Sequence, residues 1–123
     1  MADGVRINLA DKLSTFSEHW SQRLVDTVDD YEVKVAKIKG DFVWHKHDDA
    51  DELFVVIKGS FRMDFRDRQV VLRAGDIIVV PRGVEHKPFA EEECEIMLLE
   101  KRGVVNTGDA APSTYTKPVV GKV

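Results

Sequence analysis

The chain has 123 residues, of which 43% are hydrophobic, and a formal net charge of −4 at pH 7. This length suffices for one domain whose core needs no disulfide or metal staple. The acidic balance gives no reason to expect nucleic acid, whose protein partners are usually basic. A single cysteine, Cys94, excludes an internal disulfide and is expected to lie buried on a strand. With no membrane-length apolar stretch and no leader-like N-terminus, we expect a cytoplasmic protein without a membrane partner.

Residues 1–22 predict a short N-terminal helix or an irregular arm. Leu9, Leu13 and Phe16 recur at roughly helical spacing. His19 follows with no second metal-binding side chain at a useful spacing. We therefore interpret His19 as a surface or interface residue rather than as a metal ligand.

Residues 23–102 predict a series of short strands separated by turns. Segments 31–35 and 61–66 alternate apolar and polar side chains, which is typical of strands with one buried and one wet face. This alternation predicts that charged residues such as Lys34 and Asp64 face water. Further strands are predicted at 53–57, 70–72, 77–80 and 96–99. So many strands with almost no helix between them predict an antiparallel barrel or sandwich.

Residues 103–123 form a third part, rich in small residues, threonine, proline and valine. The sequence leaves open whether this part is a loose tail or an arm across the barrel. Tyr115 can affect a site in the barrel only if the tail folds over the barrel mouth.

Two short windows contain candidate metal ligands. His45 and His47 are two residues apart, so on an extended strand both imidazoles leave the same face. Glu52 opens an apolar run, and a carboxylate inside a barrel needs a cation or hydrogen bonds to offset its desolvation. Asp51 is the alternative if the strand register differs by one residue. His86 follows a turn rich in proline and glycine, which can return a third imidazole to the same place.

These windows resemble the two motifs of the cupin superfamily. The first, G(X)5HXH(X)3,4E(X)6G, is matched by Gly40, His45, His47, Glu52 and Gly59, with one residue fewer between the first glycine and the first histidine. The second, G(X)5PXG(X)2H(X)3N, is matched by Gly75, Pro81, Gly83 and His86, with Ala90 where the family often has asparagine.

The resemblance implies an all-β fold, a double-stranded β-helix or jelly-roll barrel, with the short N-terminal helix or arm added to it. It also implies a metal held by His45, His47, Glu52 and His86, and a homodimer. Three imidazoles and one carboxylate leave two octahedral positions free, which suits Fe, Mn, Ni, Co or Zn without choosing among them.

The predicted function is metal-dependent action on a small oxygenated compound such as a sugar, keto acid or enol. Isomerase, lyase and dioxygenase chemistry all remain open, and so does a binding or sensing protein without turnover. A purely structural barrel is disfavoured because three buried imidazoles and a carboxylate are costly to leave unpaired. No general acid or base is identified, and charged residues beside the second motif, Arg82 and Lys87, are expected to be merely solvated. The residues predicted to line the ligand site are Val43, Phe54, Val56 and Met63.

Overall fold

A computed structural model describes residues 2–121 of the chain. Its elements are, in chain order, α1 (Leu9–Leu13), β1 (Arg23–Val28), β2 (Tyr31–Asp41), β3 (Glu52–Lys58), β4 (Ser60–Phe65), β5 (Gln69–Arg73), β6 (Ile77–Val80) and β7 (His86–Lys101). All strand pairs between these elements are antiparallel. The prediction of an all-β jelly-roll barrel with a short N-terminal helix is confirmed. The described residues contain no helix with the length and apolar character needed to cross a membrane.

The long strand β7 connects the two halves of the sheet. It pairs with β2 along most of its length, with β3 in its second half and with β4 in its first half, and β4 in turn pairs with β5. The strand order is β1-β2-β7-β3-β6 along the main path. Only the C-terminal part of β7 was predicted, because residues 91–93 are three consecutive glutamates that lack the apolar pattern of a strand. Ala90 and Cys94, on either side of this stretch, both pair with β2, which predictions from one segment cannot include, and the register shifts between them.

The turn between β3 and β4 depends on Gly59. Its φ of +86° lies in the left-handed region, and a Cβ at this position would be 3.0 Å from the carbonyl oxygen of Glu93. Glycine therefore allows this turn to approach β7 closely.

Two apolar clusters lie on opposite faces of β2. The larger fills the barrel and includes Ala36 and Ile38, while the smaller packs α1 against Val35 and Val33. Lys34 shares the inner face with Ala36 and is completely buried. The predicted alternation is present, but the expectation that Lys34 faces water is wrong. The outer face is covered by α1, so both faces of this strand are buried.

Asp64 is also buried, contrary to the expectation of a wet face. Its carboxylate accepts hydrogen bonds from the Arg62 guanidinium, with Nε–Oδ1 and Nη2–Oδ2 distances of 2.6 and 3.0 Å. Lys87 Nζ lies 3.6 Å from the second carboxylate oxygen. Long basic side chains thus cover the aspartate and satisfy its charge outside the core.

The C-terminal segment is an arm held against the barrel. The Leu24 N–H donates to the Val120 carbonyl, and the Val120 N–H donates to the Gln22 carbonyl, both at 2.9 Å. Asn106 donates through Nδ2 to the Tyr115 carbonyl at 2.8 Å and accepts from the Lys117 N–H at 3.2 Å. These bonds show that the described part of the C-terminal segment is an arm across the barrel rather than a loose tail.

Candidate metal centre

Four side chains from separate parts of the chain converge inside the barrel. Each of His45, His47, Glu52 and His86 offers one ligand atom, and these atoms all lie within 4.8 Å of one another. All four residues are buried. Asp51, the alternative ligand, is exposed and accepts a hydrogen bond from the Arg82 N–H at 2.9 Å. The structure thus brings Glu52 rather than Asp51 to the histidines.

Backbone geometry positions the ligands. Glu52 is the first residue of β3, and His86 is the first residue of β7. His45 and His86 face each other in an antiparallel bridge, in which each N–H donates to the other's carbonyl at 3.1 and 2.8 Å. Their ring centroids are 4.2 Å apart.

Hydrogen bonds at Nδ1 orient the imidazole rings of His45 and His86. His45 Nδ1 lies 2.8 Å from the Val43 carbonyl oxygen, and His86 Nδ1 lies 2.9 Å from that of Val84. A carbonyl can only accept, so each Nδ1 is the donor and each Nε2 presents its lone pair. Fixing the tautomer in this way is the usual support for a metal-binding histidine.

Several polar atoms in this centre are left unsatisfied. His47 Nε2, His86 Nε2 and Glu52 Oε1 are buried and have no hydrogen-bond partner among residues 2–121. Glu52 Oε1 lies 3.5 and 3.4 Å from the two imidazole nitrogens, too far for good hydrogen bonds. Unpaired buried polar groups are costly. A divalent transition ion accepts lone pairs from these donors, so the residues fit such a metal.

The electrostatics favour the protonation states that metal binding needs. Burial, reinforced by the nearby His86, lowers the pKa of His45 to about 4. Burial would raise the pKa of Glu52, but the contacts with His47 and His86 outweigh it and hold that pKa below its usual range. At neutral pH the centre therefore has a neutral imidazole at His45 and an ionised carboxylate at Glu52. Metal ligands must be deprotonated in this way.

Behind the centre lie two charged residues that sequence reasoning missed. Glu100 is completely buried and interacts electrostatically with Glu52, and Lys34 Nζ is 2.6 Å from Glu100 Oε1. Burial and the negative charge of Glu52 raise the pKa of Glu100 to about 9. Counting in twos from the core residues Ile96 and Leu98 would have placed Glu100 on the inner face.

A narrow cavity adjoins the metal centre. Its walls include His45 and Glu52 beside the aromatic rings of Trp20, Phe42 and Phe54. Trp20 and Phe42 stack with ring centroids 4.5 Å apart. The lining is thus mainly apolar, and a ligand in it would lie next to His45 and Glu52.

Of the residues predicted to line the ligand site, Phe54 lies in the cavity wall. Val56 and Met63 pack in the barrel core and do not line the described cavity. Val43 is only half-buried and contributes its carbonyl to His45 rather than its side chain to the wall. β2 ends at Asp41, so alternation by two does not continue through this loop.

Three lining residues come from the arms rather than from the barrel. Trp20 and Gln22 precede β1, and Asn106 follows β7. Tyr115 packs edge-on against Phe42, with ring centroids 5.5 Å apart. No motif marks these residues, because their contribution depends on how the arms fold over the barrel.

The C-terminal arm also directly contacts the loop of residues 42–51, which carries His45 and His47 and is called the ligand loop below. Asp109 Oδ1 accepts from the Lys46 N–H at 2.8 Å, and the Asp109 N–H donates to the Lys46 carbonyl at 3.1 Å. A Cβ on Gly108 would be 2.3 Å from that carbonyl oxygen and 3.1 Å from His45 Cδ2. The arm therefore fits tightly against the loop that holds the two histidines.

The remaining charged candidates lie apart from the centre. His19 Nε2 is 2.7 Å from a carboxylate oxygen of Glu93. Arg82 Nε lies 3.4 Å from Asp51 Oδ1, and Lys87 Nζ lies 2.8 Å from Asp41 Oδ1. These contacts give each of the three side chains an ion-pair partner.

The family model of the cupin domain, Cupin_2, matches residues 31–100. The chain belongs to the cupin family. A cupin-2 domain containing protein from Shewanella frigidimarina is 50% identical, with a TM-score of 0.77, over 78% of this chain and 94% of that one. Protein NMB1881 from Neisseria meningitidis is 30% identical, with a TM-score of 0.73, over 79% of this chain and 99% of that one. These relatives support the fold and the family.

The uncharacterized protein YdbB of Bacillus subtilis is similar over a shorter region. It is 39% identical over 64 residues, which are 51% of this chain and 57% of the relative. The match thus spans little more than half the length of that protein. This cupin has a cluster of three histidines and a glutamate that could hold a metal ion.

The contact of the arm with the ligand loop can be tested with Gly108→Ala. Gly103→Ala is the matched control, because both glycines have positive φ but a Cβ on Gly103 meets nothing within 4 Å. Both variants bear the strain of a left-handed alanine, and Gly108→Ala additionally overpacks the arm against Lys46. We expect Gly108→Ala to lower the free energy of unfolding by about 1–3 kcal/mol more than the control. Chemical denaturation measures this difference, and equal losses would contradict the tight contact.

Proposed function

We propose that this cupin binds one divalent transition-metal ion through His45, His47, Glu52 and His86 and uses it to act on a small oxygenated compound. The observation that carries the proposal is the convergence of buried, unpaired ligand atoms on one point. Fe, Mn, Ni, Co and Zn are all compatible with this donor set.

The residues of the site would divide the work between holding the metal and shaping the ligand space. The Val43 and Val84 carbonyls fix the orientation of two imidazoles. The apolar cavity beside Glu52 excludes bulk water and orients an uncharged ligand. When bound, the metal supplies Lewis-acid polarisation of a ligand oxygen.

The cavity wall also ranks the reaction classes. Among the described lining residues, only His45 and Glu52 have titratable side chains, and both belong to the proposed metal set. No additional general base lines the cavity in residues 2–121, so an isomerase or lyase would lack a base of its own there. We therefore place a dioxygenase-type reaction on a small, largely apolar oxygenated compound first.

A non-catalytic binding or sensing cupin is the alternative. Its support is the narrowness of the site: Asn106 lines the cavity beside Trp20 and Phe42, and the space open to water-sized molecules is only about 30 Å³. One water needs roughly 10–15 Å³ on this measure. A binding protein can hold a small ligand in so narrow a space without releasing products.

The division of the chain, its cellular location and its oligomeric state are proposed on other grounds. We keep the division into an arm of residues 1–22, a barrel of residues 23–102 and an arm of residues 103–123. Cytoplasmic residence fits the lone, buried Cys94, whose pKa burial raises to about 11. A homodimer is supported by an apolar outer face on β6, where Ile77 and Val79 are exposed.

Metal binding is tested with protein purified without added metal. Elemental analysis should find one transition metal per chain in the wild type and little in His45→Ala or Glu52→Ala. Chelator competition should show that the loss of either ligand weakens Zn²⁺ binding strongly. The loss should exceed the factor of about 10–100 that is expected when a residue that only orients a ligand is removed. His19→Ala is the control, since this histidine lies outside the cluster. Unchanged metal content in both site variants would show the ligand assignment to be wrong.

Turnover is tested by oxygen uptake of the metal-loaded protein with small diketones. We expect steady oxygen consumption that His86→Ala abolishes and His19→Ala leaves unchanged, because only the former removes a proposed ligand. Absence of uptake, together with calorimetric binding of one of these compounds to the metal-loaded protein, would instead support the binding cupin.

The homodimer is tested with Val79→Asp. Val79 and Ile77 are 52% and 62% exposed on β6, which ends the main strand order, and their register partners Leu53 and Val55 are half-buried. A charge placed in this face should convert the dimer to a monomer. Light scattering measures this change in mass. Val71→Asp, at an equally exposed valine on β5, should leave the mass unchanged. A monomeric wild type would refute the proposal.

A further inference from the structure

Lys34 and Glu100 form a polar pair enclosed by the barrel. Both side chains have zero exposure, and Nζ–Oε1 is 2.6 Å. The other carboxylate near the lysine, Glu32, lies 3.9 Å from Nζ and is partly exposed. The pair projects inward from β2 and β7, among residues that otherwise form an apolar core.

Stability alone does not explain such a pair. Removing an ammonium and a carboxyl group from water costs more than their attraction commonly returns, and apolar residues of the same volume are often equally or more stabilising. A pair kept at this position therefore points to a role other than holding the barrel together.

The contacts of Glu100 indicate that role. Its Oε1 lies 2.6 Å from Lys34 Nζ, and its carboxyl group interacts electrostatically with the buried carboxyl group of Glu52. Glu52 Oε1 faces His47 and His86. A line of contacts thus runs from the ammonium of Lys34 through Glu100 to the glutamate of the metal centre.

We propose that Lys34 and Glu100 are positioning residues that hold the Glu52 carboxylate in the orientation needed to bind the metal with the three histidines. This inference rests on the metal site proposed above. The pair would hold Glu52 as the Val43 and Val84 carbonyls hold the imidazoles of His45 and His86. Each of these three ligands is then oriented by a group on its side away from the metal.

The main test is the double variant Lys34→Met/Glu100→Leu. It removes both polar groups together and so avoids leaving either one buried alone. We expect the metal-free double variant to fold with a melting temperature equal to or above that of the wild type. We expect its affinity for Zn²⁺, measured by chelator competition, to fall about 10–100-fold, as for other residues that orient a metal ligand.

Two further variants keep the test decisive. Lys34→Met alone removes the contact to Glu100, and should also weaken Zn²⁺ binding even if the double variant does not fold. Glu100→Gln preserves the shape, an acceptor for Lys34 and an N–H donor for Glu52, so it should retain the affinity to within about threefold. The Co²⁺ absorption spectrum, which reports ligand geometry, should change in Lys34→Met and remain wild-type in Glu100→Gln.

The matched control is Asp64→Asn, which alters another buried carboxylate that pairs with basic side chains away from the metal cluster. It should lower stability without changing Zn²⁺ affinity. Wild-type affinity in Lys34→Met or in the folded double variant would overturn this inference, as would a loss in Glu100→Gln as large as in Lys34→Met. Failure of the wild type to bind Zn²⁺ would instead refute the metal site itself.

Discussion

The structure depends on the burial of ligand atoms that the protein does not satisfy by itself. His47 Nε2, His86 Nε2 and Glu52 Oε1 are enclosed by the barrel without hydrogen-bond partners among the described residues. Each such atom lowers stability by an amount comparable to a lost hydrogen bond. A fold that brings three of them together therefore sacrifices stability at one point, and a bound cation is the group that can recover it. The rest of the barrel has to keep these atoms together while they remain unpaired.

The backbone does this by placing the ligands at strand starts and fixing them from behind. Glu52 begins β3 and His86 begins β7, where the chain enters the sheet and both residues are buried. The bridge between His45 and His86 joins the ligand loop to β7 through two backbone hydrogen bonds. The loop is held on its other side by Asp109 of the C-terminal arm. Such preorganisation lowers the cost of ordering the site when an ion binds.

The sequence was sufficient to predict the fold and the four clustered residues because both are written in local spacing. Motif glycines, paired histidines and apolar runs each act within a few residues of one another. Lys34 was misplaced because alternation shows that a strand has two faces without showing which is inside; here α1 covers the face expected to be buried in the barrel. Glu100 was missed because its partner Glu52 is distant in sequence and meets it only in the folded barrel. Val43 does not line the described cavity, because β2 ends two residues before it and the alternation does not continue.

The difference between local spacing and contacts made only in the folded chain also explains why family membership does not determine the ligand. The cupin match covers residues 31–100, which include all four clustered residues and the Lys34–Glu100 pair. Trp20, Gln22 and Asn106 line the cavity from outside that range. Gln22 Oε1 is buried without a hydrogen-bond partner among the described residues, so a ligand donor could pair with it. The barrel thus supplies the capacity to hold a metal, while the arms, whose sequence the family match does not cover, shape the space in which a ligand is selected.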